Sequence, residues 1–295
     1  LVRQAIESVK RQSYRNFEVV LVDDGSPGEE NAQFLDQLEK EFTPLGWQVI
    51  RQENQFVSAA RNNAVQHARG DYILFMDDDN VAQPNELETF VRVAQRSGAD
   101  ILTSFANYFD SEEMPGPTTR PSRCFAPLGP SVAFGFFVNG FGDCNALIRR
   151  ETFVALGGFR TEYRVGKEDH ELFARAVLRG YHLEVVPEAL FWYRKPKGGV
   201  KSLHYSQTAG VLRVASPFIE EVPLAYRSIL LYAKSLQDKQ AKRRQKRLKI
   251  MGGADSNAAV KVVWLRDFLK QFKHSLVWRA ARKMKRILGG LSPHH

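Results

Sequence analysis

The chain has 295 residues, of which 43% are hydrophobic and 25% charged, and it carries a formal net charge of +9. Two cysteines without a Cys-x-x-Cys spacing argue against a disulfide framework and fit a reducing compartment. No run of about 18 apolar residues is available to span a bilayer, and the N-terminus lacks the pattern of a signal peptide. We therefore expect a globular protein that is cytoplasmic or peripheral at the inner face of the cell membrane.

The charge is unevenly distributed along the chain. From Gln237 to the end there are 16 Lys and Arg residues against 3 Asp and Glu, which leaves 26 against 30 in residues 1–236. The body is therefore mildly acidic and the tail strongly basic. This asymmetry indicates an appendage that meets an anionic surface, because a basic active site would place the charge in the body.

Hydrophobic periodicity predicts alternating helices and strands over the first 105 residues, which is the pattern of a doubly wound α/β sheet. Pro84 suits the start of a helix and Ser97-Gly98 its end. The predicted elements are a helix at 1–12, a strand at 17–22, a helix at 30–41, a strand at 47–51, a helix at 57–68, a strand at 72–76, a helix at 84–97 and a strand at 100–104.

Proline and glycine are frequent in the segment 110–130, which has no apolar period and is predicted to form a long loop over the site. A stretch rich in glycine and phenylalanine follows at 134–143. The elements predicted after it are a strand at 145–149, a short helix that ends near 156, a helix from 168 to 179 and a strand at 183–187.

Acidic residues follow two of the predicted strands. Asp77-Asp78-Asp79 come directly after the strand at 72–76, and Asp23-Asp24 follow the strand at 17–22. Three adjacent carboxylates are costly unless a cation neutralises them, and a divalent metal is the natural candidate. Both motifs should lie at the carboxyl edge of the sheet, where open α/β sheets bind ligands. The alternative is an acidic turn that caps the next helix, but turn chemistry explains one aspartate better than three.

Several further motifs, taken in order, resemble those of the family 2 inverting glycosyltransferases of GT-A fold. Each motif alone is weak evidence, whereas the ordered set is specific, and it covers roughly residues 1–205. The matching segments are Asp23-Asp24-Gly25-Ser26, Ser58-Ala59-Ala60-Arg61-Asn62-Asn63-Ala64, Gly70 to Asp79, Arg149-Arg150-Glu151 with Gly157-Gly158-Phe159, Glu168-Asp169 and Trp192-Tyr193-Arg194.

The resemblance implies that the site binds a nucleotide-sugar and a metal. Asp77 and Asp79 match the family's metal and diphosphate motif, with Asp78 as a ribose or sugar contact, and oxygen ligands suit Mg²⁺ or Mn²⁺. Asp23 and Asp24 correspond to the nucleotide-binding pair, although a plain strand-to-turn interpretation competes with that role.

Basic residues are expected near the diphosphate. Arg61 matches the family's residue facing the nucleotide, since a guanidinium suits phosphate or base recognition. The resemblance places Arg194 where related enzymes carry a basic group that closes over the diphosphate, and His204 is a further candidate ligand to metal or phosphate.

The Glu-Asp pair carries the proposed chemistry. The resemblance implies that Asp169 is the general base, with Glu168 beside it, and that direct attack inverts the anomeric configuration. His170 departs from the family, because many relatives have tryptophan there to line the acceptor pocket. Asp143 is expected to contact the donor sugar or the acceptor, while the glycines and phenylalanines around it could equally be packing.

The resemblance also suggests domain bounds. Residues 1–222 are predicted to form the GT-A domain, with a nucleotide-binding half at 1–105 and an acceptor half at 130–205, and residues 223–295 a basic helical extension. Relatives begin with a buried strand that this sequence lacks, so we expect the first strand to be missing between the strands at 17–22 and 72–76.

The tail is predicted to contain a helix at 223–249 and a basic amphipathic helix at 260–288. The second helix fits an anionic membrane surface, or equally a neighbouring domain, and no nucleic-acid motif accompanies its charge.

The interpretation is a metal-dependent inverting glycosyltransferase that uses a nucleotide-diphosphate sugar, most simply a UDP-sugar, and a saccharide or lipid-linked acceptor. A nucleotidyltransferase and a non-catalytic carbohydrate-binding or scaffold domain are the alternatives.

Overall fold

The computed structural model describes residues 1–195, residues 207–224 and a few positions between 226 and 240. The chain divides into two compact units, Leu1–Leu230 and Leu231–His295, and the fold below is that of the first. The predicted helix at 260–288 and most of the one at 223–249 lie outside the described residues. None of the helices in the described part combines the length and apolar character required to cross a bilayer.

The helices predicted up to residue 179 are present, with shifts of one or two residues at most ends, whereas the helices at Val132–Gly135 and Gln207–Glu221 were not predicted. The fourth helix begins at Glu86 rather than at Pro84 and ends before Gly98, which adopts the left-handed conformation at φ 66°. The helices are α1 (Val2–Lys10), α2 (Glu29–Phe42), α3 (Phe56–His67), α4 (Glu86–Ser97), α5 (Val132–Gly135), α6 (Arg150–Ala155), α7 (Glu168–Leu178) and α8 (Gln207–Glu221), with a 3₁₀ turn at Thr43–Leu45.

The strands form a mixed arrangement, which confirms the expected α/β class. They are β1 (Val20–Asp23), β2 (Gln48–Arg51), β3 (Tyr72–Leu74), β4 (Val81–Ala82), β5 (Ile101–Phe109), β6 (Arg123–Phe125), β7 (Leu147–Arg149) and β8 (Leu183–Arg194).

The larger sheet has the order β3-β7-β5-β8-β4. Its centre is the parallel pair of β5 and β8, whose register runs from Ile101 opposite Leu183 to Phe109 opposite Arg194. β7 pairs with the first residues of β5 and β6 with the last ones, both antiparallel. β5 and β8 are therefore longer than predicted, and β6 lies inside the segment that was predicted to be entirely loop.

β1 and β2 form a separate two-stranded parallel ladder. Within the described residues, β1 pairs only with β2 and β3 only with β7. The strands predicted at 17–22 and 72–76 thus belong to different sheets. The expectation that a further strand belongs between them stays a prediction.

An aromatic cluster lies beneath the candidate site. The rings of Phe75, Phe153 and Phe159 approach one another with centroid separations of 5.1 to 5.3 Å, in tilted and edge-to-face arrangements. All three rings are buried. Because Phe75 precedes Asp77 by two residues and Phe159 lies against Arg61, this cluster fixes the backbone on two sides of the site.

Candidate active site

Arg61 on α3 joins two of the predicted acidic motifs. Its Nη1 donates to Glu168 Oε1 at 2.6 Å and its Nη2 to Asp77 Oδ1 at 2.5 Å. The guanidinium carbon also lies 5.7 Å from the centre of the Phe159 ring. The side chains of Arg61 and Glu168 are 13% and 12% exposed, so this ion pair is largely shielded from water, whereas Asp77 is 36% exposed. Three predicted site residues from distant parts of the sequence therefore meet at one guanidinium.

The turn that follows β3 carries the three aspartates. It closes through the Asn80 N–H, which donates to the Asp77 carbonyl at 3.3 Å. Asp78 is exposed, and Asp77 and Asp79 are half-buried. Burial, followed by the charges of Asp77 and Asp78, raises the pKa of Asp79. The turn thus concentrates negative charge that a cation would relieve.

The aspartate turn fits a divalent metal that shares its ligands with a substrate. In the described part of the chain, no group of three or more His, Cys, Asp or Glu side chains is placed to hold a metal by itself. Mg²⁺ and Mn²⁺ need no such group, since one or two carboxylates with substrate phosphates and water complete their shell. Asp77 and Asp79 are suited to this role. His204, the third predicted ligand, lies outside the described residues.

The end of β1 is tied to the start of α3. Asp24 Oδ1 accepts from Gln52 Nε2 and from the Gln55 N–H, each at 2.8 Å. Asp23 accepts from the Ser26 N–H at 3.2 Å, which closes the turn. Gly25 has φ 82° and a Cβ there would lie 2.9 Å from the Asn54 nitrogen, so the turn needs glycine. Both aspartates therefore shape this turn, and their predicted contacts with a nucleotide stay predictions.

α7 presents Glu168 and Asp169 in its first turn. Asp169 Oδ1 accepts from the His170 N–H at 2.7 Å and Oδ2 from Asn139 Nδ2 at 2.8 Å. Burial, then the carboxylates of Glu168 and Asp143, raise the pKa of Asp169 well above the usual range of an aspartate. Glu168 uses Oε1 for Arg61, while its Oε2 is buried without a hydrogen-bond partner among the residues that the structure describes. The pair thus combines a carboxyl of high proton affinity with an oxygen that a ligand could satisfy.

The glycines and phenylalanines before Asp143 are packing residues. A Cβ on Gly135 would lie 2.1 Å from the Phe141 ring, and one on Gly140 would lie 2.5 Å from the Phe134 ring. The loop is therefore locked by close contacts that only glycine permits. Its end presents Asp143, whose Oδ1 accepts from the Asn145 N–H at 3.0 Å. Burial is the main cause that raises the pKa of Asp143 to about 6.

His170 lies beneath this loop. It is 5% exposed, its Nε2 is 2.5 Å from the Gly135 carbonyl, and its ring centre is 5.9 Å from that of Phe141. The imidazole therefore holds the loop, and a contact of His170 with the acceptor or the donor sugar stays a prediction.

Arg194 lies behind the aspartate turn and is 4% exposed. Its Nε donates to the Asp79 carbonyl at 3.0 Å, and its backbone N–H donates to Asn80 Oδ1 at 3.2 Å. The guanidinium also binds the Ser111 carbonyl and Gln4 Oε1. All these partners belong to the protein, so Arg194 supports the turn, and its predicted contact with a diphosphate stays a prediction.

Amide side chains are the site residues that sequence reasoning missed. Asn139 contacts the candidate base, and Asn62 binds both the N–H and the carbonyl of Phe159, at 2.9 and 2.8 Å. Asn63 donates to Gln52 Oε1 at 2.7 Å, which extends the link to Asp24. Only the presence of Asn62 and Asn63 in the motif with Arg61 could have indicated their importance.

The comparison with known proteins identifies the family. The model described as "Glycosyl transferase family 2" matches residues 1–157, more than half of the chain, and the chain therefore belongs to that family. A second model, "N-terminal domain of galactosyltransferase", matches residues 133–199. The uncharacterized protein y4gI of Sinorhizobium fredii is 28% identical over 219 residues, which cover 71% of this chain. The chain spans 23 to 36% of the length of three of the curated relatives that it matches.

Solved structures show the same fold at low sequence identity. S. aureus TarS 1-349 in complex with UDP-GlcNAc has a TM-score of 0.60 and 20% identity, covering 79% of this chain and 67% of that one. The mannosyltransferase PcManGT from Pyrobaculum calidifontis, in complex with GDP-Man and Mn²⁺, has a TM-score of 0.54 and 17% identity, covering 97% and 80%. The expected GT-A fold is thereby confirmed.

Proposed function

We propose that residues 1–222 form the catalytic domain of a metal-dependent inverting glycosyltransferase. The donor is a nucleotide-diphosphate sugar, most simply a UDP-sugar, and the acceptor is a hydroxyl of a saccharide or lipid-linked saccharide. One observation carries the proposal: Arg61 joins Asp77 of the aspartate turn to Glu168, the residue next to Asp169. The residues proposed to bind the diphosphate and the candidate base therefore belong to one site.

In this mechanism Asp169 removes the proton from the acceptor hydroxyl. The acceptor oxygen attacks the anomeric carbon from the side opposite the diphosphate, and a new carbon–oxygen bond forms. The bond between the anomeric carbon and the phosphate oxygen breaks, and its electron pair leaves with the nucleoside diphosphate. A single displacement of this kind inverts the anomeric configuration.

The remaining residues stabilise charge and hold the donor sugar. Arg61 adds positive charge where negative charge develops on the leaving group. A bound Mg²⁺ or Mn²⁺, held by Asp77 and Asp79, supplies further stabilisation of the diphosphate. Glu168 Oε2 is buried and receives no hydrogen bond from the described part of the chain, so it is suited to accept one from a hydroxyl of the donor sugar. The Mn²⁺ named with PcManGT and the UDP-GlcNAc named with TarS support these choices of cofactor and donor.

Asp169→Asn tests the assignment of the base. The amide keeps the size of the side chain but cannot accept the proton, so kcat for sugar transfer should fall by roughly 10²-fold or more. Donor affinity should stay near normal, because Asp169 binds the acceptor side of the reaction. Transfer is measured with a panel of sugar nucleotides and saccharide acceptors, and the anomeric configuration of the product is read by NMR.

A matched control is Asp100→Asn. Asp100 directly precedes β5 and accepts a hydrogen bond from the His182 N–H. It should leave kcat within about twofold. Retention of configuration in the product, or full activity of Asp169→Asn, would contradict the mechanism. Pyrophosphate release from a nucleoside triphosphate and a sugar phosphate would instead identify a nucleotidyltransferase, and donor binding without turnover a carbohydrate-binding or scaffold domain.

A further inference from the structure

The amide of Asn139 is oriented by the backbone of its own loop. Its Oδ1 accepts from the Phe141 N–H at 3.2 Å, and its Nδ2 donates to the Gly142 carbonyl at 2.8 Å. An N–H group can only donate and a carbonyl can only accept. If the amide were flipped, Nδ2 would face the Phe141 N–H and Oδ1 would face the Gly142 carbonyl, and neither pair could form a hydrogen bond. The orientation of Asn139 is therefore determined independently of Asp169.

This orientation fixes the role of Asn139 toward the candidate base. The second hydrogen of Nδ2 points at Asp169 Oδ2, at a distance of 2.8 Å. Asn139 can thus only donate to that carboxyl, and a donor favours the ionised form. The other oxygen of Asp169 accepts from the His170 N–H, so both carboxylate oxygens are anchored by donors.

We propose that Asn139 is a positioning residue for Asp169, and that it fixes the rotation of the carboxylate and stabilises the ionised form needed to take a proton. The proposal rests on the proposed function, in which Asp169 is the base. Burial and neighbouring carboxylates disfavour the negative charge of Asp169. The hydrogen bonds from Asn139 and from the His170 N–H offset part of that penalty and hold the carboxylate in one orientation.

The groups that act on Asp169 come from four parts of the fold. Burial, Glu168 on α7 and Asp143 disfavour its ionisation, while Arg61 on α3 favours it. Arg213 on α8 adds a further positive charge nearby. Unlike these charged groups, Asn139 can be replaced by a neutral side chain, so its contact with Asp169 can be removed without changing any charge.

The experiment compares Asn139→Ala and Asn139→Leu with Thr103→Val. Asn139→Leu keeps about the volume of the side chain and adds no charge, but it cannot donate a hydrogen bond to Asp169. Thr103 Oγ1 donates to the Phe141 carbonyl at 2.8 Å and does not bind Asp169, so Thr103→Val loosens the same loop without touching the base. Both Asn139 variants should lower kcat by roughly 10-fold and raise the pH midpoint of its acidic limb by about one unit. Thr103→Val should leave the midpoint unchanged.

A second readout does not depend on turnover. The ¹³C carboxyl resonance of Asp169, assigned with Asp169→Asn, is titrated in the substrate-free protein. Its midpoint should rise in both Asn139 variants and stay constant in Thr103→Val. An unchanged midpoint in a folded Asn139 variant, or an equal shift in Thr103→Val, would overturn the proposal. If Asp169→Asn retains full kcat, the proposed function is wrong about the base, while the titration still decides whether Asn139 acts on that carboxyl.

Discussion

At the residue scale, Arg61 sets up a competition that donor binding must resolve. Its guanidinium occupies one oxygen of Asp77, a residue proposed to hold a metal. A metal and a guanidinium both seek that carboxylate, so metal binding should be weak until the diphosphate of the donor brings additional oxygen ligands. Metal and donor are therefore expected to bind together.

Asp79→Asn tests whether the aspartate turn holds the metal when the nucleotide is present. The substitution removes one metal ligand and also relieves the repulsion within Asp77-Asp78-Asp79, so the fold should stay intact. Affinity for Mn²⁺ in the presence of UDP should fall at least roughly 10-fold, measured by the EPR signal of free Mn²⁺. Asp78→Asn, at the exposed neighbour, is the control and should retain Mn²⁺ binding. Equal Mn²⁺ affinity in the two variants would show that Asp79 is not a ligand.

The sequence indicates the acidic residues of the site more clearly than the amide side chains. Three adjacent aspartates after a strand are conspicuous, because their charges repel and need a partner. Asn139 offers no comparable signal, since its partner Asp169 lies 30 residues away and asparagine is common in loops. Arg194 shows the converse: its motif was visible, but only the folded chain reveals that its guanidinium faces the back of the turn.

At the element scale, α8 holds the segment that leads into α7, the helix that begins with Glu168. Arg213 is fully buried and donates to the carbonyls of Val165 and Arg160, the latter at 2.8 Å, and to Ser58 Oγ at 3.0 Å. Pro217 cannot donate to the Arg213 carbonyl four residues earlier, and the Ser216 hydroxyl does so instead at 2.8 Å. Arg213 therefore links α8 both to α3 and to the loop that precedes α7.

Arg213→Met tests this linkage. Methionine retains an apolar stem but no donor, which leaves two carbonyls and a hydroxyl without their partner and should cost about 2–4 kcal/mol of unfolding free energy. Thermal unfolding measures the loss. The control is Arg179→Met, because Arg179 joins α7 to Glu221 of α8 through a more exposed pair at 2.7 Å, worth at most about 1 kcal/mol. Equal losses in the two variants would argue against a special role for Arg213.

Element types were predictable where the pattern is local, and element lengths were not. The helices show their apolar faces in the sequence, and Gly98 marks an end that the structure confirms. The extension of β5 to Phe109 depends on β8, whose residues lie more than 80 positions further along the chain. β6 was missed because proline and glycine dominate its surroundings, although its three residues find a partner in β5.

At the scale of the whole molecule, the basic tail is predicted to bind an anionic membrane surface. This prediction concerns residues 260–288, which lie outside the described part of the chain. Replacing Arg279, Arg282, Lys283 and Arg286 by glutamine should reduce binding to vesicles that contain phosphatidylserine, since each basic residue contributes about 1 kcal/mol near such a surface. Sedimentation with vesicles measures the binding, and added salt should weaken that of the unaltered protein.

Two comparisons make the membrane experiment decisive. Phosphatidylcholine vesicles control for apolar adsorption and should bind both proteins weakly. Replacement of four exposed basic residues of the first unit, Arg15, Lys40, Arg92 and Arg96, by glutamine should have little effect on binding. Equal binding of the tail variant and the unaltered protein would favour the alternative that the tail packs on another domain.

The contact between Arg194 and the aspartate turn also determines when the site can form during synthesis. The residue that braces the Asp79 carbonyl is translated 115 positions after it, and β8 must pair with β5 before the brace is in place. Long-range strand pairing of this kind is slow, because the intervening chain must first be ordered. A nascent chain that has already displayed both aspartate motifs therefore still lacks a finished turn. Competence to bind a metal–nucleotide complex is acquired late, and it can serve as a reporter of complete folding.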